Sequence, residues 1–258
     1  PPRAPGCAET ARRCIATTSA RCRQSACIPR DEPVGVGYLR QAMTHHERLP
    51  DPAPPAHEQV YRALRTRVMH GLVEPGAAFT LRGIAAEFGT SMTPAREAVR
   101  RLVAEGALKL SATGRVSTPA LSNERIEELA AIRALLEPEL ASRALPRAHA
   151  ALTDRMQAIN GVIDEMIVKG NASGYVRSNL EFHRTLYLRA QAPAMLSLIE
   201  NVWLQLGPTM RALYERLERR QATDMHRKII SALRAGDEPG LRLAVRTDAT
   251  QGLRMLMS

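Results

Sequence analysis

Residues 80–106 read TLRGIAAEFGTSMTPAREAVRRLVAEG, and this stretch decides the fold around it. The spacing predicts a helix over Leu81–Phe88, entered through Thr80 and stopped at Gly89. A threonine hydroxyl accepts from the free N–H groups of a first turn, and glycine takes the left-handed conformation past a last one. A second helix is expected over Pro94–Glu105. Thr93 serves as its N-cap, Pro94 takes the first helical position, where a missing N–H costs nothing, and Gly106 ends it. On that helix Ala95, Ala98, Val99, Leu102 and Val103 form an apolar stripe, while Arg96 and Arg100, four apart, share a side away from it. Two short helices about five residues apart, the second entered through Thr-Pro, make a helix-turn-helix.

Upstream, Val60, Leu64, Val68 and Leu72 recur at helical spacing and predict a helix over His57–His70, stopped by Gly71. Downstream, two strands are expected at Ala107–Ser111 and Arg115–Thr118, turned at Ala112-Thr113-Gly114. Helix, helix-turn-helix and hairpin together make residues 56–120 a winged helix-turn-helix DNA-binding domain. The segment carries nine basic and five acidic residues. Arginines in the first half of a recognition helix reach major-groove phosphates and guanine edges.

The run from Leu81 through Val99, with Thr93-Pro94-Ala95-Arg96-Glu97-Ala98-Val99 at its centre, resembles the GntR family of bacterial winged-helix repressors. The resemblance implies that Arg82 and Arg96 contact DNA; Arg100, on the same face as Arg96, and Thr93 at the helix entry are counted with them as DNA-binding residues. It also puts Gly114 in a wing tip that enters the minor groove. Where the family commonly has Arg after the turn serine, this chain has Met92, so a phosphate or base contact is missing: either the operator differs or Arg100 and Arg101 compensate.

The composition agrees with a helical DNA binder. Of 258 residues 45% are hydrophobic but only 3% aromatic, so the core is built from Leu, Ala, Ile, Val and Met, which favour helices. A net charge of +10 suits a polyanionic partner. No apolar run approaches the ~18 residues of a membrane span, so no membrane partner is expected. Residues 1–55 lack apolar periodicity and end in Leu49-Pro50-Asp51-Pro52-Ala53-Pro54-Pro55; they are expected to be a disordered tail, with Met43 a candidate start. All four cysteines, Cys7, Cys14, Cys22 and Cys27, fall there, and their spacings do not make the repeated short pairs of a zinc site. A cysteine-free remainder fits a reducing cytoplasm.

Residues 121–258 read as helices near 123–145, 149–169, 172–190, 193–219, 221–235 and 238–256, with Pro138 and Pro208 expected to kink theirs. Such a run argues for an all-α bundle. The expected fold class is therefore mainly α: a winged helix-turn-helix followed by a six- or seven-helix bundle. Glu128 through Glu137, Asn179-Leu180-Glu181-Phe182-His183, and His226 through Gly236-Asp237 resemble the effector domain of the FadR subfamily of GntR regulators. Six helices look like its VanR-type branch.

Asn179 and His183 are four apart on one helix face, His226 opens the fifth helix, and Asp248 lies on the sixth. The resemblance implies that these four positions hold a divalent metal in the bundle core. The family pattern is Asp, His, His, His; this chain has Asn179 for the Asp and Asp248 for the last His. Two imidazoles and a carboxylate suit zinc, nickel, manganese or iron. The same residues could instead hydrogen-bond an organic effector directly. Arg133 falls within the apolar stripe of Ile126, Leu129, Leu136 and Leu140. It is either a fork for an effector carboxylate or half of a structural ion pair with Glu137, Glu181 or another helix. Arg177, Arg184, Tyr187 and Trp203 are further polar residues that the sequence does not rank.

These features describe a cytoplasmic homodimer that binds palindromic operator DNA and responds to a small organic acid, usually as a repressor. Two other classes compete. A metal-dependent hydrolase or lyase using His183, His226 and Asp248 would need a general base beside an open metal position, and none is evident. A nucleoid-type DNA binder would have an apolar bundle core.

Overall fold

The computed structural model describes residues 53–216 and 221–257. Most of the expected tail, including Met43 and the cysteines, lies outside them, as does the end of the helix expected at 193–219. Residues 53–258 fall in a single compact unit by their contacts.

The first helix, α1 (Ala56–Met69), buries Val60, Tyr61, Leu64 and Val68. Leu72, expected on the same stripe, is 52% exposed: the helix has ended, and Gly71 turns the chain at φ +62°. A short strand β1 (Ala78–Thr80) leads into α2 (Leu81–Glu87), where the Thr80 hydroxyl accepts from the Gly83 amide as anticipated. The next helix, α3 (Met92–Ala104), begins two residues earlier than expected. Its N-cap is Ser91, so Thr93 and Pro94 occupy the second and third helical positions, and Thr93 does not cap. A proline N–H would be unsatisfied anywhere in the first turn, so Pro94 is as well accommodated there as at the first position. Strands β2 (Lys109–Leu110) and β3 (Arg115–Ser117) form the hairpin, and β1 pairs antiparallel with β3, Phe79 opposite Val116. The sheet order β1-β3-β2 thus includes a strand that sequence reasoning missed, because three residues carry no detectable alternation.

The bundle has six α-helices among the described residues: α4 (Asn123–Ala144), α5 (Ala150–Val168), α6 (Ala172–Tyr187), α7 (Pro193–Arg216), α8 (Gln221–Ala235) and α9 (Glu238–Met257). Pro138 and Pro208 lie inside α4 and α7. Ser122 caps α4 by accepting from the Arg125 amide, and Asn171 caps α6 by accepting from the Gly174 amide. The bundle core is built from aliphatic residues with Phe182, Tyr187 and Trp203.

One helix serves both cores. Leu204 of α7, fully buried, packs with Val60, Leu64, Val99 and Leu102 of the winged helix, while its neighbour Trp203 belongs to the bundle. The contact is close: a Cβ on Gly207 would overlap the Val68 carbonyl oxygen and lie 2.8 Å from that of Met69. Around it, Asn201 Nδ2 donates to the Glu105 carbonyl (3.3 Å) and Arg125 Nη2 to Gln205 Oε1 (2.9 Å).

Candidate functional site

Two surfaces collect the residues singled out above. On the winged helix, Arg82, Arg96 and Arg100 are exposed, and no ion pair or side-chain hydrogen bond occupies them among the described residues. Free guanidinium groups at the start of α2 and along α3 can pair with phosphate or a base edge without first breaking a bond. Arg101 differs. Its guanidinium lies 3.6 Å over the Tyr61 ring and donates to Glu58 (3.0 Å) and Glu105 (3.3 Å), so it joins α3 to α1 and does not compensate for Met92. Gly114 sits in the hairpin turn at φ +79°, and its amide donates to the Ser111 carbonyl.

The second site lies in the bundle. His183 from α6, His226 from the start of α8 and Asp248 from α9 bring one ligand atom each within 4.8 Å of one another. The distances are 3.0 Å from Asp248 Oδ2 to His183 Nε2 and 3.6 Å from Oδ1 to His226 Nε2. Both Nε2 atoms are buried and make no hydrogen bond of acceptable geometry, even to that nearby carboxylate. Their opposite nitrogens are engaged. His226 Nδ1–H donates to Asn160 Oδ1 (3.0 Å), and the His226 ring stacks on Phe182 at 3.9 Å. The Tyr187 hydroxyl donates to Glu137 Oε2 (2.8 Å), which leaves its oxygen to accept from His183 Nδ1–H at 3.4 Å. Assigned this way, each imidazole turns an Nε2 lone pair toward the same point, with a partner behind it fixing the tautomer.

Glu137 is the hub of the supporting network. Fully buried, it also accepts from Arg133 Nε (2.6 Å) and Trp203 Nε1 (3.0 Å). Burial alone would raise its pKa, but the facing Arg133 and the donated hydrogen bonds hold it below the usual carboxylate range. Asp248 behaves likewise: burial opposes its charge, yet the positive charge that His183 and His226 carry when protonated, with Arg133 nearby, brings it down to about 2. Burial pushes His226 down to about 4, outweighing the pull of Asp248, so that ring is neutral at pH 7. The ion pair of Arg133 with Glu137 was one of the two roles the sequence left open. It takes only Nε: no hydrogen bond takes the Nη groups among the described residues, and Arg133 lines a cavity of about 40 Å³ with Tyr175, Asn179, Met210, Asp248 and Gln251. Asn179 is thus beside the three ligand candidates, on the cavity wall.

Sequence reasoning named Glu137 only as one possible partner of Arg133, left Tyr187 and Trp203 unranked, and missed Asn160. Glu137, four residues after Arg133 on the buried stripe, was the one with a visible signal. The others come from separate helices.

A winged helix-turn-helix with unpaired arginines, carried on a helical domain with a polar cavity at its core, defines a DNA-binding transcriptional regulator. Comparison with known proteins agrees. Residues 56–115 match the bacterial regulatory proteins of the gntR family, and residues 128–249 match the FCD domain. The chain belongs to the GntR family, with an FCD domain as its C-terminal half. It is 26% identical over 201 residues to the HTH-type transcriptional regulator McbR of Escherichia coli K12, covering 77% of this chain and 91% of that one. The solved structure of E. coli McbR/YncC superposes with a TM-score of 0.73 at 25% identity, over 79% of this chain and 98% of that one. The gluconate operon transcriptional repressor of Bacillus subtilis is 30% identical over 149 residues, 58% of this chain and 59% of that one. These relatives are transcriptional regulators, not enzymes. No helix among the described residues is long and apolar enough to cross a membrane.

Proposed function

We propose that the chain is a transcriptional repressor whose residues 56–120 bind operator DNA and whose residues 121–258 bind an effector and dimerise. Arg82, Arg96 and Arg100 read or position the duplex, Thr93 contributes from the start of α3, and Gly114 enters the minor groove. His183, His226 and Asp248 hold a divalent metal, zinc, nickel, manganese or iron, with the amide oxygen of Asn179 as a weak fourth ligand. A small carboxylate completes the shell, gripped at its other end by Arg133. Six bundle helices support the FadR subfamily and its VanR-type branch. A winged helix alone reads few bases, and the exposed Leu135 (71%) on α4 and Leu243 (67%) on α9 offer apolar area to a second copy.

One observation carries the metal: two buried Nε2 atoms, both without a hydrogen bond, aimed at one carboxylate. A bare carboxylate and two lone pairs repel, and a cation between them removes that cost. When bound, the metal would act as a Lewis acid for an effector carboxylate and tie together α6, α8 and α9. The test is metal analysis after mild purification, then titration of zinc and candidate acids, separately and together, into the full chain. His183→Ala with Asp248→Ala should abolish metal content and weaken effector binding. If effector binding falls but no metal is ever found, the residues bond the effector directly, a reading that the 3.0 Å approach of Asp248 to His183 favours. If neither changes, the site is elsewhere.

A further inference from the structure

Behind the polar cavity lies a second, smaller one. The two share Arg133, Asn179 and Met210 in their walls, so they are adjoining lobes. The front lobe has Asp248 and Gln251 for polar partners. The rear lobe is walled by Val176, Leu180, Trp203, Leu206 and Met210, with Met69 also in its lining. Met69 is the last residue of α1, in the DNA-binding half.

The rear lobe offers only about 10 Å³. That is at or below the roughly 10–15 Å³ one water needs, so anything entering it must displace side chains. Met69 and Met210 are the flexible ones, with unbranched thioether chains that repack at low cost. The Met69 backbone is less free, since Val68 is buried and the carbonyls of Val68 and Met69 rest against Gly207 of α7. An occupant of this lobe therefore pushes on the end of α1.

Resting on the reading of the front cavity as an effector pocket, we propose that the rear lobe is a second subsite that takes the apolar end of a monocarboxylic acid and brings it against Met69. The carboxylate stays with Arg133. Short acids fill the front lobe alone. Acids with an alkyl tail reach Met69, and these are the ones that disturb DNA binding, because only they bind differently in the two arrangements of α1.

Trp203 is the sole tryptophan of the chain and lines the rear lobe, so its fluorescence reports occupancy. Acetate, propanoate, butanoate, pentanoate and threonate, the last a hydroxylated four-carbon acid, are titrated into the full chain with and without zinc, and operator binding is followed in parallel. The expected result is an affinity gain of about fourfold per added methylene until the lobe is full. Threonate should bind more weakly than butanoate, acetate should leave Trp203 emission unchanged, and operator release should begin only with tailed acids. Met69→Ala should lengthen the preferred tail by one or two carbons and uncouple binding from release while leaving acetate affinity unchanged. Met69→Leu, close in volume, should behave as the parent and shows that the position tolerates change. Acids that bind with no dependence on tail length, or a Met69→Ala variant that shifts acetate and pentanoate alike, would overturn the subsite while leaving the front pocket standing. If no acid binds under any condition, the front pocket falls and the subsite with it.

Discussion

Glu137→Gln tests the buried network with the smallest change of shape. Glu137 accepts at both oxygens: from Arg133 and Trp203 at Oε1, and from Tyr187 at Oε2. A glutamine there has one acceptor oxygen and one NH2 donor. Turned with its NH2 toward Arg133 and Trp203 it sets donor against donor; turned the other way it forces the Tyr187 hydroxyl to accept instead of donate; and in both cases Arg133, 4% exposed, loses its counter-charge. Breaking a buried pair from one side costs about 3–5 kcal/mol, because the remaining charge stays desolvated. For a structure of this size each kcal/mol is worth roughly 2–4 °C, so the melting temperature should fall by about 6–20 °C. Arg133→Met with Glu137→Gln should lose less than the two single changes added together, since the double variant strands no charge. Thermal melts of the four proteins, in matched buffer with chelator present, give the cycle. A loss below about 1 kcal/mol for Glu137→Gln, or simple additivity in the cycle, would refute the hub.

Four further outcomes are expected. Alanine at Arg82, Arg96 and Arg100 together should weaken operator binding, by roughly 1–3 kcal/mol for each base-reading arginine, and lower the salt slope for each phosphate-reading one. Arg101→Ala should lower the melting temperature without altering base preference; anisotropy across a salt series separates the two. Without metal, stability should drop as the pH falls from about 6.5 to about 4. The unfolded imidazole takes up a proton there that the buried His226, at about 4, refuses, and the difference amounts to about 3 kcal/mol. Asp248, held at about 2, extends the loss below pH 4 with the same sign, and urea melts at stepped pH would show a flat profile if neither group were perturbed. Gly207→Ala, whose methyl would overlap the Val68 carbonyl, should cost about 1–3 kcal/mol by prising α1 from α7, and an unchanged urea midpoint would count against that close packing.

Much of this molecule was legible in its sequence because its signals are local. Thr80, Gly89, Gly106 and Gly170 punctuate helices by rules that involve one or two neighbours, and the helices end where those residues stand. The stripe through Ile126, Leu129 and Leu140 carries Arg133 inward as its spacing required. Signals failed where two local rules competed. Ser91 and Thr93 are both good caps, and nothing in the sequence ranks them; only the backbone at Ser91, extended at ψ 171°, decides. In the bundle, the spacing of Asn179 and His183 and the resemblance named four ligand candidates, of which the fold gathers His183, His226 and Asp248, because helices fix what faces inward. They did not find what stands behind those ligands. Asn160 on α5 reaches His226 across 66 residues of chain, as Trp203 on α7 reaches Glu137, and that pairing depends on how helices cross.

Leu204 has a consequence for how the protein can be made and remade. The apolar core of residues 56–120 is closed by a side chain that the ribosome adds long after those residues have emerged. Until α7 arrives, the nascent DNA-binding half carries an open hole lined by Val60, Leu64, Val99 and Leu102. Excised at residue 120, it would keep that hole permanently. Grafting it onto a foreign sensor domain would therefore need more than a matched linker: the recipient must present a leucine and a glycine three residues later, on a helix laid along α1, or the graft will fold loosely and bind DNA poorly.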